Sequence, residues 1–319
     1  MDPSLNYPQI YKALSIDVKK KLSEINKCDE QATDYASVAK SLAVQECHEL
    51  AAVFLLGKAK CEFAAKNLTS EASTLFTAAK YFIQADDKLV CTNSINYEDN
   101  LNCAILCLLR AARIYELNEL FTLATNVYIY LVDTLMRRYK FHQSIPYIKR
   151  SMEIVSKDIL LSLELYKRLS YCQLYIHDWP GALYTFICIQ NLTKKELTLN
   201  SFDLYIQYWS ISEIFRVLLI LLCMPSYRLH NLDSSDYSLK QYDVIVTDEK
   251  VEDLFKLSTL NSVYMDNNLF ILLQSFVLAH QSKDILELES LSVMLQSFVN
   301  LEQRELISLI LREIIVVTS

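Results

Sequence analysis

The side chains best suited to metal binding are few and incompletely grouped in this chain. Cys47, His48 and Cys61 could approach one another, and Cys103 and Cys107 are one helical turn apart. A structural zinc site normally needs four ligands, commonly paired at short spacings, and neither group supplies four. We therefore predict reduced thiols packed in helical cores and no metal or other cofactor.

Nucleophilic catalysis needs a base beside the nucleophile and a further group that orients the base. The histidines are scattered and form no such motif: His48, His142, His177, His230 and His280. His177 is expected at a helix C-terminus, where it is favourable to the helix dipole. Phosphate-binding loops require glycine, and the chain has only two. We predict no enzymatic activity, although a triad assembled in space escapes a search along the sequence.

Two charged groups remain as candidates for protein binding. The basic segment 137–150 contains no acid, and its candidate residues are Arg137, Arg138, Lys140, Lys149 and Arg150. It could meet an acidic partner surface or anionic lipid, or it could be a solvated helix end. From residue 266 onward, seven acids face three bases, and the candidates are Asp284, Glu287, Glu289, Glu302 and Glu305. An acidic cap could dock on a basic surface, and ordinary solubility explains the same charges equally well.

The composition favours helices as the elements that carry these residues. The chain has 319 residues, 52% of them hydrophobic, with two glycines and five prolines, too few for the turns of a sandwich or barrel. Apolar residues recur at three- and four-residue steps. We predict helices at 5–26, 30–43, 45–66, 69–86, 97–117, 119–138, 141–156, 158–177, 179–193, 201–224, 249–260, 267–281, 283–299 and 301–316. Thr69 is the predicted N-cap of the fourth helix.

The remaining composition bears on compartment and partners. A net charge of −7 argues against nucleic-acid binding. The N-terminus lacks the features of a signal peptide, and the cysteines have no disulfide framework, so we expect a cytoplasmic protein. The apolar segment 206–224 is interrupted by Glu213 and Arg216. We therefore predict a helix buried in protein and no transmembrane segment.

A repeat motif lies at residues 177–186, "HDWPGALYTF". It is typical of the second helix of a tetratricopeptide repeat, and its motif residues are Asp178, Trp179, Gly181, Ala182, Leu183 and Phe186. Asp178 is the predicted N-cap, and the small Gly181 would let the preceding helix approach closely. Stretches from Thr69 and Phe141 repeat the theme, and Phe141 and Trp179 are separated by 38 residues.

These patterns predict an all-α protein of stacked antiparallel helical hairpins, a degenerate tetratricopeptide-like α-solenoid. We divide it into an array at 1–224, a polar loop at 225–248 and a C-terminal helical cap at 249–319 that packs on the array. The helix at 120–136 is apolar on nearly every side. Because a thin array cannot bury every face alone, we expect an obligate interface of well over ~2,000 Å² with another helical-repeat protein.

Several phrases, in this order, resemble the huntingtin-associated 40-kDa protein family from about residue 40 to the end. They are "AVQECHELAA" (43–52), "DKLVC" (87–91), "YCQLYIHDWPGALYTFICIQ" (171–190), "EIFRVLLILL" (213–222) and "NLFILLQSFVLAHQSKD" (268–284). The resemblance implies a non-catalytic helical-repeat scaffold. Its partner would be huntingtin, which it stabilises from between the HEAT-repeat regions, and it would have a link to an early-endosomal Rab GTPase.

The chain departs from the vertebrate pattern of that family. It lacks an Ala/Gly-rich N-terminus and a long proline-rich insertion, and residues 193–200 stand where the insertion would be. The Rab link has no motif here. An alternative from another class is a vesicle-trafficking adaptor similar to the soluble NSF attachment proteins. Cytoplasmic and early-endosomal locations are expected, with the nucleus left open.

Overall fold

The computed structural model describes residues 7–21, 25–155, 158–197, 203–223, 239, 242 and 265–318. Within these residues it contains thirteen α-helices and no strand, so the predicted all-α class is confirmed. The helices are α1 Tyr7–Lys21, α2 Ile25–Val44, α3 His48–Ala64, α4 Leu68–Cys91, α5 Asp99–Leu117, α6 Phe121–Arg137, α7 Phe141–Ile154, α8 Ile159–Tyr175, α9 Trp179–Leu197, α10 Asp203–Cys223, α11 Asn267–Ser282, α12 Ile285–Leu295 and α13 Leu301–Thr318.

Most predicted helix ends lie within five residues of the observed ones, and α4 shows how the prediction failed. Its N-cap is Asn67, whose side-chain oxygen accepts from the Ser70 N–H, so the Thr69 cap is wrong. Thr69 is already helical, and its hydroxyl donates to the Asn67 amide oxygen. The helix also continues beyond residue 86 to Cys91. The predicted helix 249–260 and nearly all of the loop 225–248 lie outside the described residues.

The helix ends explain how a chain with two glycines turns so often. In seven turns the N–H two or three residues beyond a helix donates to a carbonyl five residues earlier, as in Asn67 to Glu62 and Asp178 to Gln173. This bond belongs to the Schellman motif, which needs a left-handed residue that is usually glycine. Here non-glycine residues occupy it, and neither glycine has positive φ. The positive-φ residues are Glu46, Lys66, Asn93, Glu98, Glu119, Tyr139, His177 and Lys283.

The chain divides into two compact units, residues 1–157 and 158–319. In the first unit consecutive helices from α2 to α7 pack against one another. Their contacts use small residues such as Ala52, Ala79 and Ala111, all fully buried. α2 and α3 approach each other closely at Gly57 of α3, where an added Cβ would lie 2.5 Å from the Tyr35 ring of α2. The spacing of α2 and α3 therefore depends on glycine.

The second unit is built around the long apolar helix α10. By length and composition this helix could cross a membrane, but 67% of its most apolar 18-residue stretch is buried inside the structure. Phe215 of α10 stacks on Phe186 of α9 with ring centroids 4.4 Å apart. α11 and α13 also pack on α10, which supports the interpretation of a protein-buried helix. Helices α8–α10 therefore belong to the same compact unit as the C-terminal helices, which the sequence predicts to pack on the array as a cap.

A buried ion pair lies inside this second core. Glu213 and Arg216 of α10 are 2.6 Å apart, and both side chains are almost fully buried. The Tyr242 hydroxyl donates to the Glu213 carboxylate at 2.9 Å, and the Gln190 amide donates to its other oxygen at 2.5 Å. Burial alone raises the pKa of Glu213, but the Arg216 charge and these hydrogen bonds hold that pKa below its usual value. Tyr242 itself is therefore part of this buried network.

Candidate protein-interaction surfaces

The repeat turn at 177–186 is built largely as predicted. The Asp178 carboxylate accepts from the Gly181 N–H at 3.1 Å and caps α9. The predicted core positions Ala182, Leu183 and Phe186 are buried. Trp179 is half-buried, and its ring centroid lies 4.9 Å from that of His177.

The reason for glycine at position 181 differs from the prediction. A Cβ there would collide with the capping carboxylate of Asp178 and would lie 2.7 Å from the Gln173 side-chain nitrogen of α8. Glycine therefore makes room first for the cap of its own helix and only then for the preceding helix.

The acidic candidates fall into two kinds. Asp284 is the N-cap of α12, since its carboxylate accepts from the Glu287 N–H at 3.2 Å. It therefore has a structural task. The other four lie at the surface of α12 and α13, and no salt bridge holds them among the described residues: Glu287, Glu289, Glu302 and Glu305. Their charges are available to a partner.

The outer face of α12 combines these charges with exposed apolar side chains. Leu286 and Val293 are 81% and 66% exposed, and Glu289 and Ser290 lie between them at helical spacing. Residues at i, i+3, i+4 and i+7 share one helix face. The solvent-facing side of α12 therefore carries both apolar and charged side chains. This is unusual because the opposite side of the helix, with Leu288 and Leu295, already packs in the core.

Most basic side chains of the segment 137–150 already form ion pairs or hydrogen bonds inside the first unit. Arg138 lies 2.6 Å from the buried Asp86 and 2.7 Å from Asp87. Lys140 and Arg150 pair with other carboxylates, Glu98 at 2.5 Å and Glu116 at 2.8 Å respectively. Arg137 donates weakly to the Asp133 carbonyl, and Lys149 is exposed. Binding of the segment to an acidic partner stays a prediction, and such a partner would have to compete with these pairs.

An apolar patch that the sequence analysis missed lies at the turn between α5 and α6. Leu117 is 76% exposed, and the partly exposed Leu120, Phe121 and Leu123 follow it. We name these four residues the apolar turn. The helix 120–136, predicted to be apolar on nearly every side, is otherwise well packed, since Val132 and Leu135 are fully buried. The sequence signal for this patch is four large apolar residues within positions 117–123, on either side of the polar pair Asn118 and Glu119.

The thiols agree only partly with the predicted core positions. Cys61, Cys107 and Cys172 are buried, whereas Cys91 and Cys103 are exposed, so the core assignment is wrong for those two. Burial raises the pKa of the Cys107 thiol to about 12, which makes it unreactive at neutral pH. Among the described residues no three His, Cys, Asp or Glu side chains are grouped as metal ligands would be.

Comparison with known proteins extends these observations to the whole chain. No family model matches it. It is similar to the mouse (Mus musculus) protein described as 40-kDa huntingtin-associated protein, with 25% identity over 364 aligned positions. The alignment spans 96% of this chain and 92% of the mouse protein. Because it has more positions than this chain has residues, it includes segments of the mouse protein that this chain lacks. The resemblance seen in the sequence is confirmed over nearly the full length of both chains.

Proposed function

We propose that this chain is a non-enzymatic scaffold that binds huntingtin in a stable complex. The observation that carries the proposal is the similarity to a huntingtin-associated protein along 96% of the chain. The surface agrees with a binding role, because large apolar side chains such as Leu117 and Leu286 are exposed on otherwise well-packed helices. Scattered apolar residues are ordinary on protein surfaces, whereas contiguous ones are typical of binding sites.

The proposed mode of action is mutual burial of helical-repeat surfaces. The family resemblance implies a position between the HEAT-repeat regions of huntingtin, where a bound helical protein would hold the two regions in one arrangement. The apolar turn and the outer face of α12 would supply hydrophobic contact area. The carboxylates of Glu287 and Glu289, which no described residue pairs in a salt bridge, would orient the complex and raise its association rate more than its affinity.

We further propose a cytoplasmic location with recruitment to early endosomes through a Rab GTPase. This part of the proposal rests on the family resemblance alone, because no described surface carries a motif for a GTPase. Pull-down with early-endosomal Rab proteins loaded with GTP or GDP would test it, with nucleotide-dependent capture as the expected result. Equal capture of both forms, or of neither, would remove the Rab link.

Affinity purification of the tagged chain from its native cells tests the main proposal. We expect a stoichiometric complex with huntingtin that survives gel filtration, identified by mass spectrometry. Recovery chiefly as a free, monodisperse monomer would contradict the proposal. If that monomer also stimulated a membrane-fusion ATPase, the alternative of an adaptor similar to the soluble NSF attachment proteins would replace it.

Charge reversal on α12 tests the orienting role of the acidic face. The double substitution Glu287→Lys and Glu289→Lys should weaken huntingtin binding more at low salt than at high salt, because salt screens exposed charges. A matched control, Asp34→Lys with Glu49→Lys, changes the net charge equally at exposed sites in the first unit. Unchanged affinity of the α12 variant at low salt would exclude the acidic face from the interface.

The apolar turn has its own test. Leu117→Ser with Leu123→Ser should reduce huntingtin binding by about tenfold or more, as loss of buried contact area at an interface does. Both side chains are substantially exposed, so the free chain should keep its thermal stability. Full binding with unchanged stability would show that the partner does not cover this patch.

A further inference from the structure

A cleft in the second unit brings together residues that are far apart in the sequence. It has a volume of about 170 Å³ and lies between the α8–α9 turn and α13. Its apolar lining includes Leu174, Leu306 and Leu309, its aromatic wall includes Trp179, and Glu302 and Glu305 supply carboxylates. We name it the Trp179 cleft.

The start of α13 fixes the two carboxylates in place. Asn300 and Gln303 form a reciprocal capping box, with two backbone-to-side-chain hydrogen bonds of 2.9 Å each. The buried Gln303 side chain also donates to the Ile211 carbonyl of α10 at 3.3 Å, which ties α13 to the core. Residues 302, 305, 306 and 309 are spaced as one helix face. That face therefore presents two carboxylates followed by two leucines to the turn.

No lysine or arginine of the described residues pairs with these carboxylates, and the titratable base that lines the cleft with them is His177. Neither Glu302 nor Glu305 forms a salt bridge with a described residue. Arg304, the basic residue between them, donates to the Gln296 carbonyl at 2.6 Å. Burial raises the pKa of the nearby Tyr171, and the negative charge of Glu302 raises it further. The cleft thus combines an aromatic face, an apolar lining and uncompensated negative charge.

We propose that the Trp179 cleft binds an arginine side chain presented by a partner protein. The guanidinium plane stacks on the Trp179 indole and donates to the carboxylates of Glu302 and Glu305, while its methylene groups contact the leucines. Arginine fits better than lysine because a planar, weakly hydrated cation both stacks on aromatic rings and donates bidentately. The volume also suits one such head group, since a cavity of about 150 Å³ holds a benzene molecule.

This inference deepens the proposed function, since it names the chemistry by which a protein partner is held, but it can be tested without that partner. The chain has two tryptophans, and Trp209 is buried with 3% of its surface exposed. In a Trp209→Phe variant the emission reports on Trp179. The probe is a short amidated peptide with one central arginine, and its control is the same peptide with citrulline, the neutral isostere. Calorimetry on the unaltered protein provides a second measurement should that variant fold poorly.

We expect a saturable change in Trp179 emission with the arginine peptide and at least tenfold weaker binding of the citrulline peptide. Glu302→Gln with Glu305→Gln should weaken arginine-peptide binding about tenfold or more. The control Asp34→Asn with Glu49→Gln removes equal charge at exposed sites outside the cleft and should bind as the unaltered protein does. Equal binding of both peptides, no binding, or equal loss in both double variants would overturn the proposal.

The two proposals fail in different ways. If the arginine peptide does not bind but huntingtin still co-purifies with the chain, the cleft proposal falls and the scaffold function stands. If the peptide binds with the expected charge dependence but no huntingtin co-purifies, the cleft is an arginine site for another protein. In that case the proposed function is wrong.

Discussion

The close contact between α2 and α3 at Gly57 gives a prediction in which the sign of the stability change identifies the cause. Gly57 lies in the interior of α3, where alanine normally stabilises a helix by about 1 kcal/mol relative to glycine. Its neighbour across the helix pair is the ring of Tyr35, which is 2% exposed. We predict that Gly57→Ala destabilises the protein despite the better helix propensity.

The magnitude follows from the distances. An alanine Cβ would lie 2.5, 2.8 and 2.9 Å from three ring carbons of Tyr35, about 1 Å inside the usual contact distance of ~3.5–4.0 Å. The ring also contacts Tyr11 and Phe54, each with centroids 6.1 Å away, so it has little room to move. Overpacking costs about 1–3 kcal/mol, and three simultaneous clashes place this site near the upper end. After the propensity gain, the net loss is about 2 kcal/mol.

Urea and thermal denaturation of the full chain measure this loss. A change of about 2 kcal/mol lowers Tm by roughly 4–8 °C if the unit of 157 residues unfolds cooperatively. Hydrogen exchange should locate the effect in α2 and α3. The matched background is Tyr35→Leu, which removes most of the ring. In that background Gly57→Ala should be neutral or stabilising, and the double-mutant cycle should give a coupling of about 2–3 kcal/mol.

Two results would refute this reasoning. If Gly57→Ala raises Tm in the unaltered chain, helix propensity dominates and the ring is not held as the packing indicates. If the substitution destabilises the unaltered chain and the Tyr35→Leu chain equally, the clash with the ring is not the cause.

Three further predictions concern charge and backbone. Glu213→Gln should lower the unfolding free energy at neutral pH by about 3 kcal/mol, because it leaves a buried guanidinium without its counter-charge. The folded pKa of Glu213 lies below 4.5, so its contribution to the free energy of unfolding is fully present above pH 4.5 and is lost as the pH falls through the folded pKa. In urea titrations at acid pH, the free energy of unfolding of the variant should therefore fall less with decreasing pH than that of the unaltered protein. Arg138→Ala should lower the unfolding free energy by about 3 kcal/mol because the buried Asp86 loses its counter-charge and keeps only the Asn96 hydrogen bond, whereas thermal melts of a Lys149→Ala control should stay unchanged. Lys66→Gly should raise stability by about 0.5–1 kcal/mol by relieving a left-handed φ of 59°, and a lower Tm would contradict that cause.

Short-range features of the sequence predicted the helices well. The three- and four-residue apolar steps placed α7 at its observed start, Phe141, and α11 at Asn267. The Asp178 cap was also predictable, because a cap depends on residues within one helical turn. The same rule failed at α4 because Asn67 and Thr69 can both cap a helix, and the chain uses the residue that also completes the preceding turn.

Contacts between residues far apart in the sequence could not be predicted from it. The sequence predicts that Arg138 is available to a partner protein. In the structure it pairs with Asp86, which is 52 positions away in the sequence and lies beside it only because the two helices belong to one packed unit. The sequence predicts that Tyr242 lies in a polar loop, whereas its hydroxyl donates a hydrogen bond to the buried Glu213 carboxylate. No local pattern states which helices become neighbours, since many pairings bury similar apolar faces.

The sequence by itself determined the class of the protein, the places where its described helices begin and end to within about five residues, and the acidic and apolar residues from which a binding surface can be made. The tertiary structure alone decided which charges are already neutralised, which thiols are buried and where Trp179 meets Glu302 and Glu305. The physical reason is one of range. Helix formation and capping are governed by neighbours within about four residues, whereas burial, ion pairing and clefts depend on which distant helices pack side by side.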